Sequence, residues 1–179
     1  MKKIALTMIM AVITITASAQ AFIGGEVSLW RNANDGANKT TFAILPEVGY
    51  SLSPKWAIGT VVGYQHVYNA GSKTNLWTVQ PYARYTLTQF GPVSVFLDGG
   101  FGFATYKVTV GDVKGDAQNA WSVGIKPGLA VNLTKKLSFV THVGFLGYRD
   151  ADGSEVLGSE GFGFSLSGND VSFGVYYNF

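Results

Sequence analysis

The chain has no cysteine among its 179 residues. That excludes a disulfide scaffold, a thiol nucleophile, a thiolate metal site and a lipidated N-terminal cysteine. Charge is scarce as well: 13% of residues are charged and 47% hydrophobic, which excludes a disordered chain or a coiled coil. Beyond Gln20 no uninterrupted apolar run is long enough to cross a bilayer as a helix. The formal net charge of +2 misleads, because residues 1–19 carry two lysines and no acid, and the remainder holds eleven bases against eleven acids. No basic stripe supports nucleic-acid binding.

The first residues form a targeting signal. Lys2 and Lys3 precede an apolar stretch from Ile4 to Ile15, and Ala17-Ser18-Ala19 follows as a small-residue cleavage site, with Ala19-Gln20-Ala21 as an offset alternative. Residues 4–19 are too few for a spanning helix, which needs roughly 20, and no stop-transfer charges follow. The expectation is a signal peptide over 1–19 and one exported domain over 20–179.

What remains is rich in aromatics (14% of the chain) and glycine (23 residues), and it alternates with period 2 almost throughout. Strands are predicted at about 22–31, 41–52, 56–68, 76–89, 93–108, 118–133, 137–148 and 170–179. Short connections fall at Ser53-Pro54-Lys55, Phe90-Gly91-Pro92 and Thr134-Lys135-Lys136; longer polar ones fall at Asn32–Lys39, Ala70–Asn75, Gly111–Asp116 and Arg149–Asn169. Alternating short and long connections describe an up-and-down meander that closes on itself.

The two faces decide the solvent. On the fourth and fifth strands one face reads Trp77, Val79, Pro81, Ala83, Tyr85, Leu87 and then Val93, Val95, Leu97, Gly99, Phe101, Phe103. The other reads Thr78, Gln80, Tyr82, Arg84, Thr86 and then Ser94, Phe96, Asp98, Gly100, Gly102, Ala104. An eight-stranded interior is barely wide enough for side chains, so it cannot hold the bulky face, and the small face is too poor in charge to meet water all round. The apolar face therefore meets lipid, which offers no partner to an open sheet edge and so requires closure. The predicted fold is all-β: an eight-stranded antiparallel up-and-down transmembrane β-barrel.

Outward aromatics sort to the strand ends, as headgroup-level girdles require. Phe42, Tyr68, Trp77, Phe103, Trp121 and Phe145 fall at the long-loop end, and Tyr50, Trp56, Tyr85, Tyr177 and Phe179 at the short-turn end. The inward face carries Glu26, Glu47, Arg84, Asp98, Lys126 and His142. A hairpin turning about Gly91 sets Arg84 opposite Asp98, and the same count about Lys135 sets Lys126 opposite Gly144. The expectation is a lumen network in which each charge needs a partner because the site is dry. Pro46, Pro81 and Pro127 lie at similar heights in the second, fourth and sixth strands, and a mid-strand proline predicts a bulge or bend.

Catalysis finds little support. Of the two histidines, His66 takes the lipid-facing register, and Ser138 is four residues from His142, too far along one strand for a nucleophile–base contact. Asp150-Ala-Asp152-Gly153 begins like a calcium loop, but Gly161 stands where the bidentate Glu is required, so no metal site and no cofactor is expected.

The C-terminal stretch Val171-Ser-Phe-Gly-Val-Tyr-Tyr-Asn-Phe179 resembles the recognition strand of bacterial outer-membrane barrels. Pro46-Glu-Val-Gly-Tyr-Ser-Leu-Ser-Pro-Lys-Trp-Ala-Ile-Gly59 and Val95-Phe-Leu-Asp-Gly-Gly-Phe-Gly-Phe103 resemble the porin-family eight-stranded barrels related to the OmpX and OmpA membrane domains. The resemblance implies residence in the Gram-negative outer membrane, contact with its lipid and lipopolysaccharide, and a monomer. It also implies that the barrel assembly machinery reads Val175, Tyr177 and Phe179; the sequence departs from full OmpA proteins by stopping at Phe179, so a peptidoglycan-binding domain is not carried over. The expected role is a non-enzymatic structural or adhesion protein whose surface loops bind an extracellular ligand. The alternative is a narrow pore for ions or very small solutes, and a lipid A-modifying enzyme ranks below both.

Overall fold

The computed structural model describes residues 20–34, 37–69, 71–150, 160–166 and 171–179; the expected signal peptide lies outside the described residues. Ten β-strands follow one another: β1 (Ala21–Asn34), β2 (Ala37–Ser51), β3 (Trp56–Asn69), β4 (Ser72–Phe90), β5 (Val93–Val110), β6 (Val113–Asn132), β7 (Leu137–Val143), β8 (Phe145–Asp150), β9 (Gly161–Ser165) and β10 (Val171–Asn178). Each of β1 to β6 pairs antiparallel with the next, β6 pairs with β7 and β8, and β10 pairs with both β7 and β1. β7 and β8 are two halves of one stave, and β9 and β10 of another, so the sheet closes as a ring of eight staves. The Phe22↔Asn178 to Glu26↔Gly174 ladder makes the seam. Closure leaves no unpaired edge there, as a lipid environment demands.

The predicted short turns form, and two of them share one device. Ser53 Oγ accepts the backbone N–H of Trp56 (3.1 Å), and Thr134 Oγ1 accepts that of Leu137 (3.0 Å). The predicted long loops are a different matter. β4 starts at Ser72, β6 starts at Val113, β1 reaches Asn34 and β2 starts at Ala37, so most of Ala70–Asn75, Gly111–Asp116 and Asn32–Lys39 continues the ladders. Within Arg149–Asn169, the stretch Gly161–Ser165 pairs with β8, while 151–159 and 167–170 lie outside the described residues. Gly71 (φ +91°) and Gly111 (φ +59°) permit tight reversals that keep these polar strands paired. Period-2 patterning misses them because polar residues occupy both faces once the strands rise above the lipid.

The proline expectation holds at one place in three. The β1–β2, β2–β3 and β4–β5 ladders keep their register across Pro46 and Pro81, which point outward. Near Pro127, by contrast, the partner register of β6 slips by one, from Gly128↔His142 to Ile125↔Leu146, around Gly144 at φ +75°. That extra residue corrects the predicted position of Phe145. Instead of meeting lipid, Phe145 turns inward and is 8% exposed, because the bulge inverts the alternation beyond it. For the same reason the count that sets Lys126 opposite Gly144 fails, since the ladder is broken at that height.

Inward side chains form three tiers. Phe22, Ala57, Phe96, Val140 and Tyr176 pack near the short-turn end, and Leu76, Ala104, Tyr106 and Ala120 pack near the long-loop end. The polar residues lie between them.

Candidate functional site in the barrel lumen

The middle tier is built around one guanidinium. Arg84 on β4 and Asp98 on β5 are direct cross-strand partners, and Arg84 Nε and Nη2 donate to Asp98 Oδ1 and Oδ2, both at 2.7 Å. The turn itself centres between Gly91 and Pro92, and a bulge at Leu87 shifts the register by one to give the Arg84–Asp98 pair. Glu47 on β2 approaches Arg84 Nη2 at 3.5 Å and accepts the hydroxyls of Tyr82 and Tyr176, the latter at 2.5 Å. His142 on β7 sets Nε2 2.8 Å from Asp98 Oδ2 and Nδ1 3.3 Å from Glu26 Oε1, which also accepts Ser172 Oγ at 2.7 Å. Both imidazole contacts are hydrogen bonds only when both ring nitrogens carry a proton. Lys126, the cross-strand neighbour of Asp98 on β6, donates to Gln80 Oε1 at 2.7 Å. The six inward residues named from the sequence thus converge from β1, β2, β4, β5, β6 and β7.

Four aromatic rings surround the guanidinium: Arg84 Cζ is 4.0 Å from the Phe96 centroid, 5.2 Å from Tyr82, 5.9 Å from Phe22 and 6.0 Å from Tyr176. Each ring lies over a glycine that is its direct cross-strand partner: Phe22 over Gly49, Tyr82 over Gly59, Phe96 over Gly128 and Tyr176 over Gly24. A Cβ at any of the four would overlap the ring, so glycine is what makes room for a large side chain in so narrow a lumen. Sequence reasoning identified the charges but missed the cage formed by Phe22 and Tyr176. The signal that would have found them is the glycine–aromatic pairing across each ladder.

The plug divides the lumen. A cavity of about 240 Å³ on the long-loop side is lined by Gln80, Asp98, Ser122, Lys126, His142 and Arg149, among others. A second, of about 190 Å³ on the short-turn side, is lined by Arg84, Thr86, Phe96, Asn132, Ser138 and Asn178. Asp98 faces the first and Arg84 the second. Ser138 donates to Asn132 (2.7 Å) and accepts from Asn178 (2.8 Å), which engages it away from His142. Among the described residues no group of acids and histidines has the geometry to hold a metal ion.

On the outer wall, Phe42, Trp56, Trp77 and Trp121 are exposed, and Tyr50 and Tyr85 are half-exposed. Trp56 packs on Tyr85 at 4.7 Å, and Tyr64 packs on Trp77 at 4.9 Å. His66 also faces outward and contacts Asn75 Oδ1 at 2.8 Å. Val175, Tyr177 and Phe179 share the outward face of the closing strand.

Among solved structures the chain is similar to Neisserial surface protein A (NspA), at 15% identity and a TM-score of 0.55, with 90% of this chain and 98% of that one covered. It overlaps less closely with Ail, the attachment invasion locus protein of Yersinia pestis (12% identity, TM-score 0.41, coverage 88% and 92%). The translocator domain of autotransporter NalP from Neisseria meningitidis overlaps at 9% identity and a TM-score of 0.44, with coverage of 98% and 96%. Of these three, the NspA superposition is the one close enough to indicate a shared fold. A search of curated proteins found no match. The sequence profile of the outer membrane protein beta-barrel domain matches residues 4–179, and the chain belongs to that family.

Proposed function

We propose that this outer-membrane barrel is a non-enzymatic surface protein whose extended hairpins, rather than its lumen, carry the interaction. One observation carries the reading: the Arg84 cage fills the lumen between the two cavities. A filled interior makes the barrel a rigid stave wall. β4, β5 and β6, with 19, 18 and 20 residues, then extend well beyond the roughly 9–11 that a tilted membrane crossing uses. The surplus forms paired hairpins, which hold binding groups with less conformational freedom than open loops would. The name of NspA as a surface protein agrees with this display role. In this reading residues 1–19 direct export and are then removed, and the assembly machinery recognises Val175, Tyr177 and Phe179.

The test is a pull-down or a glycan and host-protein array, run with the intact barrel and with the hairpin extensions (residues 70–75, 108–116 and 150–168) replaced by short turns. Retention of a ligand by the intact form alone is the expected result. If neither form retains one, the adhesion role fails.

A second reading rests on the two cavities themselves: a narrow conduit for ions or small solutes, closed by the Arg84–Asp98 pair. Planar-bilayer recording separates the two. The display reading expects no steady conductance from the native barrel, whereas single-channel steps altered by Arg84→Ala or Lys126→Ala would establish the conduit.

A further inference from the structure

The carboxylates of the long-loop cavity are already committed. Glu26 meets His142 and Ser172, Glu47 accepts from Tyr82 and Tyr176, and Asp98 meets Arg84 and His142. Two cations that line the same cavity are left over, Lys126 and Arg149. Lys126 donates to the neutral Gln80 Oε1, and Arg149 Cζ lies 4.2 Å from the centre of the Phe145 ring. Among the described residues no carboxylate lies within 4.0 Å of either cation. With both ring nitrogens of His142 protonated, Arg84, Lys126, His142 and Arg149 outnumber Glu26, Glu47 and Asp98 by one charge. A dry interior holds an unbalanced charge only at high cost.

The fold brings the two cations together. On β6, Ser122, Gly124 and Lys126 point inward in succession, each roughly 6–7 Å below the last. Ser122 is the cross-strand partner of Arg149, and the Phe145 ring covers Gly124. Stacking on that ring draws the guanidinium down from the Ser122 row toward Gly124, one row above Lys126, and the two positive charges repel each other. The bulge at Gly144 is what aims Arg149 inward. Without it the alternation would turn Arg149 outward with Phe139 and Thr141, and for that reason the sequence pattern does not reveal the pair.

We propose that Lys126, Arg149 and the Ser122 hydroxyl bind a phosphate-sized tetrahedral oxyanion inside the lumen, on the long-loop side of the Arg84 cage. The guanidinium offers two parallel N–H groups to one pair of oxygens, and the ammonium meets a third from below. A planar carboxylate has two oxygens, which the guanidinium alone would occupy, whereas a tetrahedral ion has enough for both cations and for Ser122. The bound ion balances the charge of the cavity. It needs neither a hairpin ligand nor passage across the plug, so the site is independent of both readings of the barrel given above.

The experiment is equilibrium dialysis of radiolabelled inorganic phosphate against the folded, full-length barrel in a non-ionic detergent. The native barrel should saturate at about one phosphate per chain, and Arg149→Gln and Lys126→Met should each weaken binding by about tenfold or more. Arg149→Lys keeps the charge but loses the paired donors, and its affinity should fall between native and Arg149→Gln. Lys107→Gln removes a surface charge and should bind as native does. Absence of saturable binding by the native barrel, or unchanged affinity in both Arg149→Gln and Lys126→Met, overturns the proposal. So does a loss in Lys107→Gln equal to theirs, which would place the ion on the outer wall. Displacement by acetate at the same concentration as phosphate overturns the choice of a tetrahedral ion. Should Lys126→Met not fold, as judged by heat-modifiability, Arg149→Gln decides alone.

Discussion

The inner and outer faces of β4 and β5 use the same residue types to opposite ends. Inside, Tyr82 and Phe96 each cover a glycine, and Arg84 is held by two carboxylates and four rings. Outside, Trp77 and Phe103 lie open to lipid, and among the described residues Lys73 and Lys107 have no acidic partner. The difference follows from the medium. In a dry lumen a lone charge is costly, so charges cluster, whereas at the headgroup level the lipid supplies the counter-charge. An aromatic ring inside is a space-filler matched to a missing side chain, and outside it is an interfacial anchor.

The largest way to break this contrast is to strip the lumen of its central cation. Arg84→Ala leaves Asp98 and Glu47 facing each other's charge without a guanidinium and should cost about 3–5 kcal/mol. The combination with Asp98→Asn should recover a substantial part of that loss. Urea titration of the vesicle-folded barrel checks both, and equal losses for the single and double variants would refute the pairing.

Next in size is Gly128→Ala, whose methyl group meets the Phe96 ring and the Thr141 carbonyl and should cost about 1–3 kcal/mol through overpacking. Gly99→Ala is the matched control, since nothing lies within 4 Å of a Cβ there, and its heat-modifiability midpoint should stay close to native. A smaller loss, about 0.5–1.5 kcal/mol, is expected for Trp56→Ala, which removes the packing on Tyr85 and an interfacial ring. The smallest effect belongs to Lys107→Gln: within about 0.5 kcal/mol of native stability in a neutral-lipid vesicle, as for an exposed charge without a partner. A large loss in that neutral vesicle would mean that the lysine has a role within the fold.

Much of this was legible from spacing. The alternation of Trp77 to Leu87 against Thr78 to Thr86 identifies which face meets lipid, because each face must suit one medium along its whole length. Arg84 and Asp98 were paired from the turn alone, although the count succeeds only because the Leu87 bulge offsets the true turn centre. Phe145 was misplaced since a single left-handed residue, Gly144, inverts the alternation after it. Nothing in the neighbouring residues distinguishes that glycine from the many others in the strands. The hairpin extensions resemble loops in the sequence because polar residues on both faces carry no period-2 signal, yet their backbones continue the ladders, with one register slip between Lys107 and Thr109.

By itself the sequence determined the antiparallel order, the direction each strand face points and the contacts made between neighbours across a tight turn. These are local matters, set by pleat and turn geometry over a few residues. Only the tertiary structure decided that Glu47 from β2 and His142 from β7 would reach the Arg84–Asp98 pair from other parts of the ring. It also decided that Phe22 and Tyr176, which lie at the two ends of the chain, would close the cage. Those contacts depend on how many strands close the ring and by how much they stagger, a property of the whole barrel that no single segment encodes.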